Sequence, residues 1–419
     1  MLSKIFASKN FISFIGVKTL AQVVDFLVPL FVAKTLEPSL FGSFALFKMI
    51  VFLGTAVFID PIMAAFSVES NKEHQSTGKT NVTFTSVLSY IFFSSAVFII
   101  IFQFLGRDLI QYTGLEYSAF KSIFLLSFIS LSLRSFLSNL FLSLDRKKLH
   151  TSFELAFSTV YFLYILTIGS FGALELSDVF YGYPIALIIT LPIFAIFIDY
   201  KSILPLKFSR ENLRTVLHFG FWSILGYAAS YLINWGDNIV LKRFVSLDQI
   251  GIYNFAYQIF KGLVMVSFMI NTYYTAFVSK NIQDKAIITD YIRTKRNTFT
   301  AVITGVIILI GLLATPVIKA FFPPSYTQSI PIIEILIFAS IFGFYISFII
   351  PIYNATKNYK SKQLLLVLQV ILNLTLDVLL IPRLGIHGAA IATFISYCIY
   401  AACTEIIFRR ISIKFYKDL

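Results

Sequence analysis

Lys34–Phe44 reads KTLEPSLFGSF, and Arg243–Asn254 reads RFVSLDQIGIYN. A shift of 209 residues lays Lys34 on Arg243 and Gly42 on Gly251. The same shift lays LDRKKLH (144–150) on YNATKNY (353–359) and pairs Lys148 with Lys357. Two matches at one offset describe a duplicated unit whose copies run in the same direction. In a membrane chain this gives two bundles related by an axis along the membrane normal.

Composition says that the chain is such a protein. Hydrophobic residues make up 58% and charged residues 13%, with mean hydropathy +0.82; a soluble chain has roughly 45–50% and about 25%. So few charges cannot cover a water-soluble body of 419 residues, which excludes a soluble enzyme. Apolar runs fall at 11–33, 42–66, 82–105, 121–143, 151–171, 179–199, 217–236, 250–278, 298–321, 331–353, 363–381 and 386–408. Each is near the roughly 20 residues a span needs, and together they leave no room for a large extramembrane domain. The last two are separated only by the turn Ile381-Pro382-Arg383-Leu384-Gly385. The expected fold is an all-α membrane protein, with twelve transmembrane helices in two pseudo-symmetric six-helix bundles around a central cavity. The bundles divide into 1–208, with a cytoplasmic linker, and 209–419.

The net charge of +13 has a topological cause rather than a nucleic-acid partner. With the N-terminus inside, the cytoplasmic segments hold 23 Lys and Arg and the opposite side 7, an asymmetry that fixes orientation in short loops. Both termini are then cytoplasmic. The basic loops 200–216 and 279–297 read as solvated faces attracted to anionic headgroups. Cys398 and Cys403 lie in one apolar run with no ligand at metal spacing, so neither a metal site nor a disulfide framework is implied. Residues 1–33 carry Lys4 and Lys9 before an apolar run but no small-residue cleavage site, and the run contains Lys18 and Asp25. It reads as a retained first span.

Charges at membrane depth cost about 2.5–3.5 kcal/mol even on lenient scales, so they are the functional candidates. Four cations qualify: Lys18, Lys48, Arg134 and Lys261. Lys18, Gln22, Asp25 and Pro29 share one helix face, and Asn254, Tyr257, Gln258 and Lys261 form a second polar stripe. Cations from both bundles would make a positive chamber in a low dielectric, suited to a diphosphate. The competing reading for Lys18 and Lys48 is snorkelling to the headgroups, and for Arg134 it is service by Ser130, Ser132, Ser135 and Ser138. Asp25 and Asp237 are candidates for proton or sodium coupling, or for neutralising a nearby cation. Asp60, Glu154, Glu334, Asp377 and Glu405 are dispersed over other spans and receive no role. Tyr227 and Tyr231 could stack on sugar rings, while most of the 47 Phe and 22 Tyr should face lipid or the interface.

Four passages carry a resemblance over nearly the whole chain: AKTLEPSLFGSFAL (33–46), LDRKKLH, DNIVLKRFVSLDQIGIYNFAYQI (237–259) and IPRLGIHGAAIATFISY (381–397). In order and spacing they resemble the O-antigen and capsular polysaccharide flippases of the multidrug/oligosaccharidyl-lipid/polysaccharide exporter superfamily. The resemblance implies a bacterial inner-membrane protein that moves undecaprenyl-diphosphate-linked oligosaccharide from the cytoplasmic to the outer leaflet. The implied partners are that lipid-linked sugar, membrane lipids, a polysaccharide polymerase and a chain-length regulator. No cofactor is implied. In the superfamily, the lipid II flippase has basic residues in its first, second and eighth spans. Lys18, Lys48 and Lys261 fall at comparable places, with a point charge in place of the bidentate Arg fork.

Three rivals are weaker. A multidrug antiporter of the same superfamily should have an acidic cavity, whereas these candidates are mostly basic. A major-facilitator transporter should carry a Gly-x-x-x-Asp-Arg-type loop, which SVESNKEHQSTGKT (67–80) lacks. A polymerase or ligase should have a large outer loop with Arg or His acid/base groups, and the outer connections at 106–120 and 237–249 are too small. Enzymatic catalysis is not expected.

Overall fold

In lipid every backbone N–H must find its partner inside the segment, so a chain this apolar can cross only as helices or as a closed barrel. The computed structural model describes residues 9–172 and 174–415, and among them it contains helices and no strand. Residues 1–8 and 416–419, with Lys4 and both expected cytoplasmic ends, lie outside the described residues.

The helices are α1 (Lys9–Thr35), α2 (Pro38–Phe58), α3 (Asp60–Thr77), α4 (Asn81–Tyr112), α5 (Tyr117–Ser143), α6 (Lys147–Ser170), α7 (Leu176–Ala195) and α8 (Tyr200–Ile203). They continue as α9 (Arg210–Phe244), α10 (Leu247–Asn281), α11 (Lys285–Asp290), α12 (Asn297–Phe321), α13 (Ile330–Ser347), α14 (Ile350–Ala355), α15 (Tyr359–Leu384) and α16 (Ile386–Phe415). Twelve segments are long and apolar enough to cross a membrane, at the places the hydropathy marks. The chain is a multi-pass membrane protein.

Several spans run past their apolar cores. The second extends over Pro38–Thr77 instead of 42–66, and the seventh over Arg210–Phe244 instead of 217–236, with polar residues continuing the helix past the apolar run. Within the second span, α2 ends at Phe58 and α3 starts at Asp60. Pro61 has no N–H to reach the carbonyl of Val57, so the helix bends there. The Ile381–Gly385 turn is mostly helix: α15 runs to Leu384 with Pro382 inside it, and Gly385 turns the chain at φ +58°.

The chain forms two compact units, one of residues 1–36 and 43–231 and the other of 37–42 and 232–419. This boundary lies inside α9, whereas the expected one at 208/209 lies ahead of that helix. In the first unit α1 packs along α6, and the interior is largely phenylalanine. Phe98 stacks on Phe128 at 3.8 Å, Phe102 on Phe124 at 4.6 Å, and Phe47 lies 3.9 Å from Phe180. Buried Phe side chains outnumber exposed ones among the described residues. The buried ones interlock in this way because helices without a hydrophobic driving force between them associate through shape-matched packing.

In the second unit, α15 packs along α16 and α13 along α10 and α16. Tyr274, Tyr291, Phe348 and Tyr353 form a core cluster. The phenols of Tyr291 and Tyr353 donate to the carbonyls of Phe348 and Thr404, both at 2.9 Å. The segment 279–297, read as a solvated loop, is largely helical, with a π-turn at Tyr291–Arg296. Arg296 is buried, pairs with Glu405 at 3.1 Å and lies 4.7 Å from the Tyr345 ring. A charge spent in this way is not a headgroup contact.

Candidate functional site

The first unit holds a cavity of about 390 Å3 where α1, α2, α3, α5 and α6 meet. Its charged lining is Asp25, Lys48, Asp60, Arg134 and Glu154. Arg134 organises it. Its Nη2 lies 2.5 Å from Glu154 Oε2 and 3.4 Å from Asp25 Oδ2, and its Nε donates to Glu154 Oε2 at 3.1 Å. The guanidinium also lies 4.4 Å from the Phe157 ring centroid. Planar, forked Arg suits such a shared, partly dry pairing better than Lys.

The serine service expected for Arg134 is different in kind. Ser132 donates to the Phe128 carbonyl at 2.8 Å, Ser135 to Asp60 at 3.3 Å, and Ser138 meets His150 Nδ1 at 2.9 Å. The serine within reach of the guanidinium is Ser158, at 3.5 Å. Lys48 lines the same cavity, half-buried, with its ammonium 5.6 Å from the rings of both Phe44 and Phe52. The structure thus brings Lys48, Arg134 and Asp25 together. It surrounds them with two carboxyls that received no role from the sequence, so two cations face three carboxyls. The expected cationic surplus is not found in this cavity. Lys18 is exposed and Gln22 half-buried on α1, and neither lines it. Tyr231 is buried, its phenol donating to the Met49 carbonyl at 3.0 Å.

The second unit carries a buried polar cluster on α9, α10, α15 and α16. Asp237 is 3% exposed and Asp377 fully covered. Asp237 Oδ2 accepts from the phenol of Tyr253 and from Thr393 Oγ1, the latter at 3.3 Å. Asn373 Nδ2 donates to Asp377 Oδ2 at 3.5 Å. The two carboxyls are within hydrogen-bond reach of each other. The Oδ1 atom of each is buried and meets no donor. Two covered carboxyl oxygens without donors are groups that a shared proton or a small cation would satisfy, and Thr393 and Asn373 would add neutral oxygens to a cation.

Asn254, expected to face a cavity, is fully covered and forms a reciprocal amide pair with Asn238 at 2.6 and 3.3 Å. Gln258 is also buried. Lys261, farther along the same stripe, stays half-buried, its ammonium 4.1 Å from the Trp235 ring and 4.9 Å from that of Tyr257. Aromatic faces attract a cation through the ring quadrupole.

Comparison with known proteins places this geometry. Residues 7–278 match the family described as "Polysaccharide biosynthesis protein". The chain is 28% identical over 231 residues to the uncharacterized membrane protein MJ1068 of Methanocaldococcus jannaschii, a match covering 53% of this chain and 43% of that protein's length. Among solved structures it is similar to the lipid II flippase MurJ in an inward closed conformation, with TM-score 0.75 and 16% identity over 96% of this chain and 90% of the other. It is similar also to an inward-facing multidrug resistance MATE family transporter of the MOP superfamily, with TM-score 0.73 and 14% identity over 94% and 95% of the two chains. At these identities the likeness establishes the fold, which this chain shares with both transporters.

Proposed function

The chain belongs to the polysaccharide biosynthesis protein family, and on that premise we propose that it is a flippase for undecaprenyl-diphosphate-linked oligosaccharide, an O-antigen or capsular repeat unit. It moves this substrate from the cytoplasmic to the outer leaflet of the bacterial inner membrane by alternating access, with both termini cytoplasmic. The observation that carries the reading is the family match over 7–278, joined to a fold similar to that of a lipid II flippase. Supporting it are basic side chains at membrane depth in each unit. Lys18, Lys48 and Arg134 in the first and Lys261 in the second attract the diphosphate. Lys261 lies against the rings of Trp235 and Tyr257.

Coupling is assigned to Asp237 together with Asp377, whose unpartnered oxygens take up a proton or sodium ion. Asp25 serves first as a counter-ion of Arg134. A polysaccharide polymerase and chain-length regulator are the proposed partners downstream.

The test is complementation of a flippase-deficient strain, scored by surface polysaccharide. Lys261→Ala and Lys18→Ala should abolish display while membrane protein level holds, and normal display in both removes the substrate assignment. One observation favours multidrug antiport instead: the carboxyl excess in the first unit's cavity. Export of cationic dyes that survives Lys261→Ala and fails in Asp25→Asn would select that reading.

A further inference from the structure

The bend in the second span leaves a notch, and the notch is a second cavity of about 1,120 Å3 in the first unit. It is larger than the roughly 300–1,000 Å3 of ordinary small-ligand pockets. One wall is the start of α9, where Arg210, Arg214 and His218 recur every four residues and so form a single stripe. Beside that stripe run Leu213, Leu217 and Phe221, which face the cavity together with Val57 and Ile62 from either side of the bend. Glu211 and Tyr90 are its other polar side chains. The lining is divided lengthwise, with the basic stripe on one side and hydrocarbon beside it.

This wall is fixed in place before any ligand arrives. Ser209 Oγ accepts from the Asn212 N–H at 3.2 Å, and the Asn212 amide donates to Thr83 Oγ1 at 3.1 Å. The preceding linker is tied to the α3–α4 turn by Asn81 donating to the Pro205 carbonyl at 2.8 Å and by Lys79 donating to that of Leu204 at 3.3 Å. Farther along, Gly220 lets α9 approach Pro61 and Ile62 so closely that a Cβ would press on the Ile62 side chain. The helix is pinned at both ends of the cavity and open between them.

The geometry points to an acidic phospholipid of the cytoplasmic leaflet as the occupant, its phosphate on Arg210 and Arg214 and its chains along Leu213, Leu217 and Phe221. An arginine pair binds a phosphate by charge-assisted, forked hydrogen bonds, and an apolar recess at membrane depth is filled by hydrocarbon. A glycan headgroup has no comparable match, because beyond the cations only Glu211 and Tyr90 could meet its hydroxyls. The occupant wedges the bend at Ile59–Pro61 against α9. This site is separate from the charged cavity around Arg134 and does not depend on what the protein transports.

Native mass spectrometry of the detergent-purified protein, mixed with equal amounts of phosphatidylglycerol and phosphatidylcholine, tests the assignment. Wild type should retain phosphatidylglycerol in preference. The double variant R210Q/R214Q should lose that preference by about tenfold or more, because basic residues near a membrane surface attract acidic lipid, and R210K/R214K should keep most of it. Leu217→Trp, which fills the apolar half and leaves both arginines, should expel the lipid by a route independent of charge. Equal retention of the two lipids, or undiminished phosphatidylglycerol binding in R210Q/R214Q and L217W, overturns the proposal. Displacement by undecaprenyl phosphate at equal concentration would make the cavity a station for the transported lipid. Displacement by inorganic phosphate would make it a plain anion site, and either result also overturns the phospholipid assignment.

Discussion

Gly42 and Gly251, the two glycines that a shift of 209 residues superposes, pack against each other in the folded chain. A Cβ on Gly251 would strike the Pro38 carbonyl, and one on Gly42 would strike that of Leu247. Backbone, unlike the tip of a side chain, cannot yield cheaply. Gly251→Ala should therefore destabilise the detergent-solubilised protein by about 1–3 kcal/mol, the usual cost of overpacking. Gly305→Ala, where nothing lies within 4 Å of the added carbon, should not. Thermal unfolding of the two variants side by side checks this.

Arg134 and Glu154 form a largely dry ion pair, with side-chain exposures of 18% and 24%. Removing one partner strands the other charge, so Glu154→Ala should cost about 3–5 kcal/mol, softened by the remaining contact to Asp25. The double variant Arg134→Met with Glu154→Leu should recover much of that loss. A double-mutant cycle in thermal stability measures it, and equal losses in the single and double variants would contradict the pairing.

Asp237 and Asp377 lend themselves to a binding measurement that needs no substrate. If their free oxygens hold sodium, the wild-type melting temperature should rise in NaCl relative to choline chloride at equal ionic strength. Asp237→Asn and Asp377→Asn should each abolish the rise. A sodium-independent melt combined with pH-dependent transport would assign the pair to protons, and retention of both responses in the variants would remove it from coupling.

The 23 to 7 distribution of Lys and Arg makes a topological forecast. A fluorescent protein fused after Leu419 should fluoresce, and alkaline phosphatase fused there should be inactive, as for a cytoplasmic end. The opposite pattern would invert every inside and outside assignment made from the loops.

The spans were legible because each is a run of apolar residues near the length the bilayer demands. The sites were legible only halfway. Lys48, Arg134, Asp25 and Asp237 stand out as charges among apolar neighbours, but their partners Glu154 and Asp377 look just as isolated in one dimension. The missing signal is hairpin symmetry. Arg134 and Glu154 are equidistant from Leu144, Asp237 and Tyr253 from Val245, and Asp377 and Thr393 from Gly385. At 1.5 Å per residue, positions equidistant from a helical turn stand at one depth. That arithmetic pairs Arg134 with Glu154 and Asp237 with Tyr253, and it sets Asp377 level with Thr393, whose hydroxyl bonds Asp237 instead. It would not have revealed the burial of Asn254, which depends on the rotation of α10 about its own axis. Nor would it have shown the helical path of 279–297, which polar residues disguise as a loop.

The guanidinium of Arg134 already has two acidic occupants at rest. Any pyrophosphoryl group that comes to it arrives as a rival and must outbid both incumbents at once. With Lys48 lining the same cavity, the trio is one part of a set of two cations and three carboxyls.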